Sequence, residues 1–322
     1  MPIIQNSLFQ KYNMLISIII PCHNVDDYIV ECVVSAFNQT FKNIEVICID
    51  NNSSDQTLAK LEKLRTTYPF LVIDREFKPG ASAARNKGLT LAKGGWIQFL
   101  DADDLLLPSK IEHQVSLIDD SFSFIVGACI YKSKYSENKF IPNKNANIWE
   151  NLAKVHLGNT CCNLFSKKWL IEVSGWNEEL KSSQEYDLMF RILKKNCRVR
   201  YDNEALTIIN QVENSITRKP ENIVNNIVRR AKLLNQILEF TKKSSISSSS
   251  IKEIEQALFD VVREMYLYDS NESIKMYQGF FNGKYNPIIS SATSKKYIYI
   301  HRIIGFKFSN LIINKTKRLI KH

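Results

Sequence analysis

Between Leu15 and about Ser133 the sequence alternates short apolar runs with amphipathic ones, and this alternation leaves few folds open. Leu15–Ile20 (LISIII), Glu45–Ile49, Phe70–Ile73, Trp96–Leu100 and Phe124–Ile130 read as strands rich in β-branched residues. They are mostly continuously apolar, which indicates burial on both faces, as in a parallel sheet. Asp27–Phe37, Ser54–Tyr68, Ala81–Ala92 and Pro108–Ile118 read as the intervening helices, the last with Pro in its first turn, where a missing N–H costs little. The expectation is an α/β domain with a doubly wound, mostly parallel sheet flanked by helices. In such a sheet ligands gather at the carboxyl ends of the strands.

Beyond this stretch the pattern changes. Residues 134–163 are polar and irregular; helical signals return at Ser166–Val173 and Gln184–Lys195, followed by strand-like pieces near Arg198–Tyr201 and Leu206–Asn210. From Pro220 the chain reads as helical, with Asn222–Lys242 and Ile251–Tyr268 separated by a serine-rich linker, Ser244–Ser250. The organisation expected is an extension over 1–13, a catalytic domain over 14–219, and a helical C-terminal region over 220–322 that ends in a basic tail. The N-terminal residues do not resemble a signal peptide, and no apolar run is long enough for a transmembrane helix. Seven cysteines, an odd number with no C-x-x-C spacing, lie mostly inside apolar runs, which suits reduced core thiols and a cytoplasmic protein better than a zinc site.

Three strand ends carry polar groups. The run Trp96–Leu100 stops in Asp101-Ala102-Asp103-Asp104, three carboxylates in four positions, whose repulsion grows as water is removed. An Asp-x-Asp at a carboxyl edge can share a hard divalent cation that bridges a diphosphate. The plain alternative is a solvated loop whose Asp104 helps start the helix at Pro108. Asp50 ends the run Ile47–Ile49 and is followed by Asn51-Asn52-Ser53-Ser54-Asp55, a loop suited to a nucleoside or, equally, to a turn and helix cap. The first strand runs into Pro21-Cys22-His23-Asn24, and Arg85-Asn86 lie in GASAARNKGL, where a guanidinium could meet phosphate.

The ordered segments SIIIPCHNVDDYIVECVVSAFNQTFKNIEVICIDNNSSDQT, GASAARNKGLTLAKGGWIQFLDADD and SGWNEELKSSQEYDLMFRIL resemble glycosyltransferase family 2, inverting enzymes of GT-A fold, over roughly residues 14–217. The resemblance implies that Pro21, His23, Asn24 and Asp50 hold the nucleoside, usually uridine, with His23 at a usual Tyr and Asn51 at a frequent second Asp. It implies Arg85 near the diphosphate, Asp101 on the ribose and metal side, and Asp103 as ligand to manganese or magnesium. It makes Glu185, after Gln184, the general base that deprotonates an acceptor hydroxyl. Two readings of Glu185 stand side by side, because Ser182-Ser183-Gln184-Glu185 also fits a capping box with Glu185 reaching back to Ser182. Trp176 could stack on an acceptor sugar or simply pack, and Asp187 reads as a structural or acceptor-orienting residue. Relatives often carry a His approaching the metal after the last strand; Val212 stands there in this chain.

The net charge of +10 belongs to the tail. After Glu272 there is no Asp or Glu, while ten Lys and Arg follow, so residues 1–272 are formally neutral. Residues 295–322 interleave these charges with apolar residues, and Ile300, Ile304, Phe308 and Leu311 share one helical face. The pattern suits the inner surface of an anionic membrane or a helix packed on the domain. A nucleic-acid partner is not expected, because no recognition module accompanies the tail. The function expected is transfer of a sugar from a UDP-sugar to a glycan or lipid-linked saccharide during surface polysaccharide synthesis. The alternatives are a catalytically impaired nucleotide-sugar-binding protein and a basic-tailed membrane adaptor.

Overall fold

The structure, a computed structural model, describes residues 14–211 and 220–320. Its first half is the alternation seen in the sequence. β1 (Ile16–Cys22), α1 (Ile29–Phe37), β2 (Ile44–Asp50), α2 (Thr57–Thr67), β3 (Val72–Arg75), α3 (Ala81–Leu91) and β4 (Trp96–Phe99) follow one another. The four strands pair in parallel in the order 3-2-1-4, with Cys22 opposite Asp50 and Ile19 opposite Phe99. Ile16, Ile18, Ile19, Ile20 and Val46–Ile49 are fully buried, as continuous hydrophobicity requires. Each large aliphatic side chain among them contributes about 1.5–3 kcal/mol.

The sheet continues through β5 (Leu105–Leu106), α4 (Lys110–Leu117), β6 (Phe122–Lys132), β7 (Glu137–Phe140), α5 (Ile148–Ala153), β8 (Leu164–Ser166), α6 (Lys167–Glu172), α7 (Gln184–Leu193) and β9 (Arg198–Asn210). Its full order is 3-2-1-4-8-6-9-5, with β7 on β6. β8 runs antiparallel between β4 and β6, whereas β6 and β9 are parallel. Residues 134–163, read as irregular, therefore contain β7 and α5 and lead straight into β8. Three-residue β8 is entered through polar Asn163, which is fully buried because Nδ2 donates to the Leu157 carbonyl and Oδ1 accepts from Gly127 N–H. The two pieces read near 198 and 206 form one strand. Asp202 does not turn the chain: it is buried, with Oδ1 2.9 Å from His113 Nε2 and Oδ2 accepting from Gln114 at 3.0 Å. Helix α4 begins two residues after Pro108, whose carbonyl instead accepts from Thr40 N–H.

The described residues divide into two compact units, 14–144 with 156–211, and 145–155 with 220–320. The second joins α5 to α8 (Pro220–Lys242), α9 (Ser248–Met265), α10 (Ser270–Phe281) and α11 (Lys295–Ile320). Its centre is aromatic: Phe259 on α9 meets Tyr277, Tyr285, Tyr297, His301 and Phe306 at ring distances of 4.9 to 6.1 Å. The serine-rich linker is largely helix start, for Ser247 caps α9 by accepting from Ser250 N–H. Helix α11 is kinked at Gly305, whose φ of 72° is left-handed. The kink overturns the single apolar face expected for the tail. Tyr297 and His301 point inward before it and Phe306, Ser309 and Asn310 after it, leaving Ile300 and Ile304 only partly buried and Phe308 and Leu311 exposed. No helix among the described residues is long and apolar enough to cross a membrane.

Candidate active site

The carboxyl edge of β1, β2 and β4 carries the polar residues singled out in the sequence. Asp50 ends β2 and Asp101 follows β4, two strand spacings apart, about 10 Å. The loop after β1 is zipped to the loop after β2. His23 Nδ1 lies 2.7 Å from the Asn51 carbonyl, Asn24 Oδ1 accepts from Ser54 N–H at 2.8 Å, and Asn24 adopts φ 52°. Pro21 pairs opposite Ile49 at the last turn of this edge. His23 and Asn24 remain exposed. Asn51 is not open to a ligand: buried, it donates to the Glu76 and Lys78 carbonyls and accepts from Gly80 N–H, so it clamps the approach to α3.

Asp50 is 4% exposed, and its Oδ1 has no hydrogen-bond partner. It opens on a cavity of about 300 Å³ shared with Asn52, Ser53, Arg75 and Phe77. Arg75 Nε stands 3.9 Å from Asp50 Oδ2 at the solvent side, and the Phe77 ring is 74% exposed. Asn52 and Ser53 belong to the loop singled out in the sequence, whereas Arg75 and Phe77 were missed there. The available signal was an aromatic residue in an otherwise polar crossover between β3 and α3.

The second cluster surrounds Arg85 on α3. Its Nη2 donates to Asp101 Oδ1 at 2.6 Å, its Nη1 to Gln184 Oε1 at 3.3 Å, and its Cζ lies 4.6 Å from the Trp176 ring centroid. Arg85 is therefore buried and engaged with its own chain, not an open fork awaiting a diphosphate. Trp176 packs and does not present a face to a sugar: it is 2% exposed and meets Phe99 edge-on at 5.1 Å. Gly175 makes this docking possible. It has φ 64°, and a Cβ there would sit 2.5 Å from Asn86 Oδ1, which accepts from Trp176 N–H.

Asp101, Asp103 and Asp104 have separated fates. Asp101 is neutralised by Arg85. Asp104 is buried, accepts from Asn210 N–H at 2.9 Å, and is pushed well up by burial and by Asp101 and Asp103. It does not serve the start of α4, whose cap is Ser109. Asp103 stays partly exposed, its carboxyl raised by burial and then by Asp101. Among the described residues, Asp101, Asp104 and Cys161 bring ligand-type atoms within 4.8 Å of one another, a grouping that includes Cys161 and omits Asp103. The carboxylate oxygens suit a hard divalent cation, whose charge offsets their mutual repulsion, whereas the Cys161 thiol, pushed well up by burial, does not.

Glu185 sits in the first turn of α7, and the capping box that competed for it does not form. Ser183 is the N-cap residue, with φ 57° and no side-chain capping bond, and Ser182 Oγ is buried without a partner. Burial pushes the Glu185 carboxyl up; Arg85 opposes this and Asp101 reinforces it, so all three groups share one field. Asp187 faces elsewhere, accepting from Arg191 Nε at 2.8 Å, while Arg191 Nη1 holds the Val173 and Gly175 carbonyls. Its role is to brace the turn that carries Trp176. Val212 lies outside the described residues.

Residues 17–175 match the family model described as glycosyl transferase family 2. The chain is 28% identical over 228 residues to the Escherichia coli UDP-Glc:alpha-D-GlcNAc-diphosphoundecaprenol beta-1,3-glucosyltransferase WfaP, covering 69% of this chain and 86% of that protein. It is 30% identical over 186 residues to Escherichia coli chondroitin synthase, a longer protein of which the match covers 26%. Among solved structures, Staphylococcus aureus TarS 1–349 in complex with UDP-GlcNAc superposes with a TM-score of 0.57 at 18% identity, over 87% of this chain and 95% of that one. The mannosyltransferase PcManGT from Pyrobaculum calidifontis, in complex with GDP-Man and Mn2+, gives 0.57 at 16%, over 95% and 80%. These superpositions carry the fold, a GT-A domain.

Proposed function

The chain belongs to glycosyltransferase family 2, and from that premise we propose that it moves a sugar from a UDP-sugar to a saccharide acceptor with inversion at the anomeric carbon. The observation that supports this reading above others is that Arg85 ties Asp101, after β4, to Gln184, the neighbour of Glu185 in the first turn of α7, at the sheet edge that also carries the open Asp50 cavity. The base enters that cavity, where the unpartnered Asp50 oxygen accepts an imide N–H and Phe77 covers the ring face. Pro21, His23 and Asn24 border the ribose side.

Glu185 accepts the proton of the acceptor hydroxyl. The freed oxygen forms a new C–O bond to the anomeric carbon, and the bond to the diphosphate breaks with its electron pair going to the phosphate oxygen. Arg85 acts through Asp101: it fixes that carboxylate and offsets its charge beside the leaving group. A manganese or magnesium ion, held by Asp101 with Asp103 or Asp104, would supply charge stabilisation to the departing diphosphate. The acceptor proposed is a lipid-linked saccharide or growing glycan at the inner membrane face, in line with the diphosphoundecaprenol named for WfaP.

The test is hydrolysis of a panel of nucleotide sugars with manganese, reading released nucleotide. Release from at least one UDP-sugar, lost in Glu185→Gln while UDP still binds, is the expected result. Silence across all UDP-sugars overturns the reading, and binding without turnover identifies a nucleotide-sugar-binding protein.

A further inference from the structure

Helix α11 has a built-in contradiction. Its inward positions before the kink are Tyr297 and His301; a straight continuation at 100° per residue would turn Phe308 and Ile312 inward next. Gly305 breaks that phase, so that Phe306, Ser309 and Asn310 take the inward positions instead. Phe308 and Leu311 are thereby displayed to solvent, as Tyr299 and Ile303 already are in the first half, at 68% and 64% exposure. Basic side chains flank them: Lys295, Lys296 and Arg302 before the kink and Lys307 after it are all exposed. No acidic residue follows Glu272 anywhere in the sequence to offset them.

We propose that this outward face of α11 docks on an anionic lipid bilayer, with Tyr299, Ile303, Phe308 and Leu311 entering the headgroup boundary and the four basic residues lying among lipid phosphates. Charge complementarity selects the occupant. An apolar strip whose charged neighbours on the described part of α11 are all cations, on a helix not long and apolar enough to cross a membrane, matches a negatively charged interface. The inference deepens the proposed function by supplying the surface on which a lipid-linked acceptor is met, and it stands on residues outside the transfer site.

The experiment is sedimentation of the full chain with vesicles of phosphatidylcholine alone and of phosphatidylcholine mixed with phosphatidylglycerol. Binding to the mixed vesicles that weakens with salt is expected. Neutralising Lys295 and Lys307 to Gln should lower the partition about fivefold for each charge removed. Ile303→Ser with Phe308→Ser should lower it about tenfold or more, and both residues are exposed, so a thermal melt should match the parent chain. Nucleotide release from a UDP-sugar without vesicles should be unchanged in every variant, which keeps failure of this proposal distinct from failure of the transferase reading. The proposal is overturned by equal binding to both vesicle types, by an apolar double variant that partitions like the parent, or by loss of vesicle binding when RNA competes at equal phosphate. It also falls if those substitutions abolish a dimer in light scattering without altering vesicle binding.

Discussion

Asp50 and Asp101 look alike in the sequence, each following a buried apolar run, and the structure gives them opposite surroundings. Asp50 keeps an unpartnered oxygen at 4% exposure beside an open cavity. Asp101 is gripped by a buried guanidinium at 2.6 Å and flanked by carboxyls that burial has raised. An unmet acceptor costs about 1–3 kcal/mol until a donor arrives, so the Asp50 side can gain from a hydrogen-bond donor. A charge-balanced cluster is prepared for ions instead. On the proposed reading the same edge splits into a half that would read the nucleotide and a half that would perform the chemistry, and the split makes each half separately breakable.

The chemical half should give the largest effect. Glu185→Gln is expected to lower turnover about a thousandfold, within the range for a positioned general base, with UDP affinity unchanged by calorimetry. The pH profile sharpens this. A base raised by burial is ionised only above the usual glutamate range, so turnover should climb with pH through that raised value. Stability runs the other way. A raised carboxyl contributes stability that is present below its unfolded value, 4.5, and lost as pH rises through the folded one. Removing it should therefore make the variant melt at a higher temperature than the parent at neutral pH. A variant that loses UDP binding in step with turnover would erase the division between the halves.

Arg85→Lys comes next. An ammonium cannot reproduce the fork that holds Asp101 and Gln184 together over the Trp176 ring. Turnover should fall about a hundredfold from misplacement of Asp101. Stability should fall by about 1–2 kcal/mol, less than for a fully buried pair because the Asp101 side chain is 36% exposed. UDP affinity should move far less than turnover. Full activity in this variant would show that Arg85 does not position Asp101.

The edge itself was legible because short, β-branched apolar runs between amphipathic segments read as strands buried on both faces, and their ends as loops. What could not be read is how neighbours from distant sequence divide the work. Nothing local distinguishes Asp101 from Asp50 until Arg85 arrives from α3, and nothing local says that Ser182 fails to cap α7, since that depends on Ser183 adopting φ 57°. Cys161 joins the carboxylates only through the fold of a polar segment with no period of its own. Gly305 similarly re-phases α11, and a sequence wheel assumes a straight helix.

The nucleotide half should give smaller losses of the opposite kind. Asp50→Asn replaces an acceptor of fixed sign with an amide that can present the wrong atom. UDP affinity should weaken about tenfold, the lower end for a hydrogen bond to a charged group, with turnover at saturating donor preserved. Should turnover at saturation fall instead, Asp50 belongs to the chemistry and the contrast is broken.

Phe77→Ala is the finest cut. The ring contributes little to the folded chain at 74% exposure, so the melting temperature should not change. A base covered on one face by an aromatic ring gains about 1–3 kcal/mol, and a ring open to water on its other side sits at the low end, which predicts about fivefold weaker UDP binding. Stacking is indifferent to which base is stacked, whereas the Asp50 oxygen is not. Phe77→Ala should therefore weaken UDP and other nucleoside diphosphates by the same factor, while Asp50→Asn should weaken UDP and spare nucleotides whose bases lack an imide N–H. Equal losses across all nucleotides in both variants would mean that the cavity holds the nucleotide without reading its base.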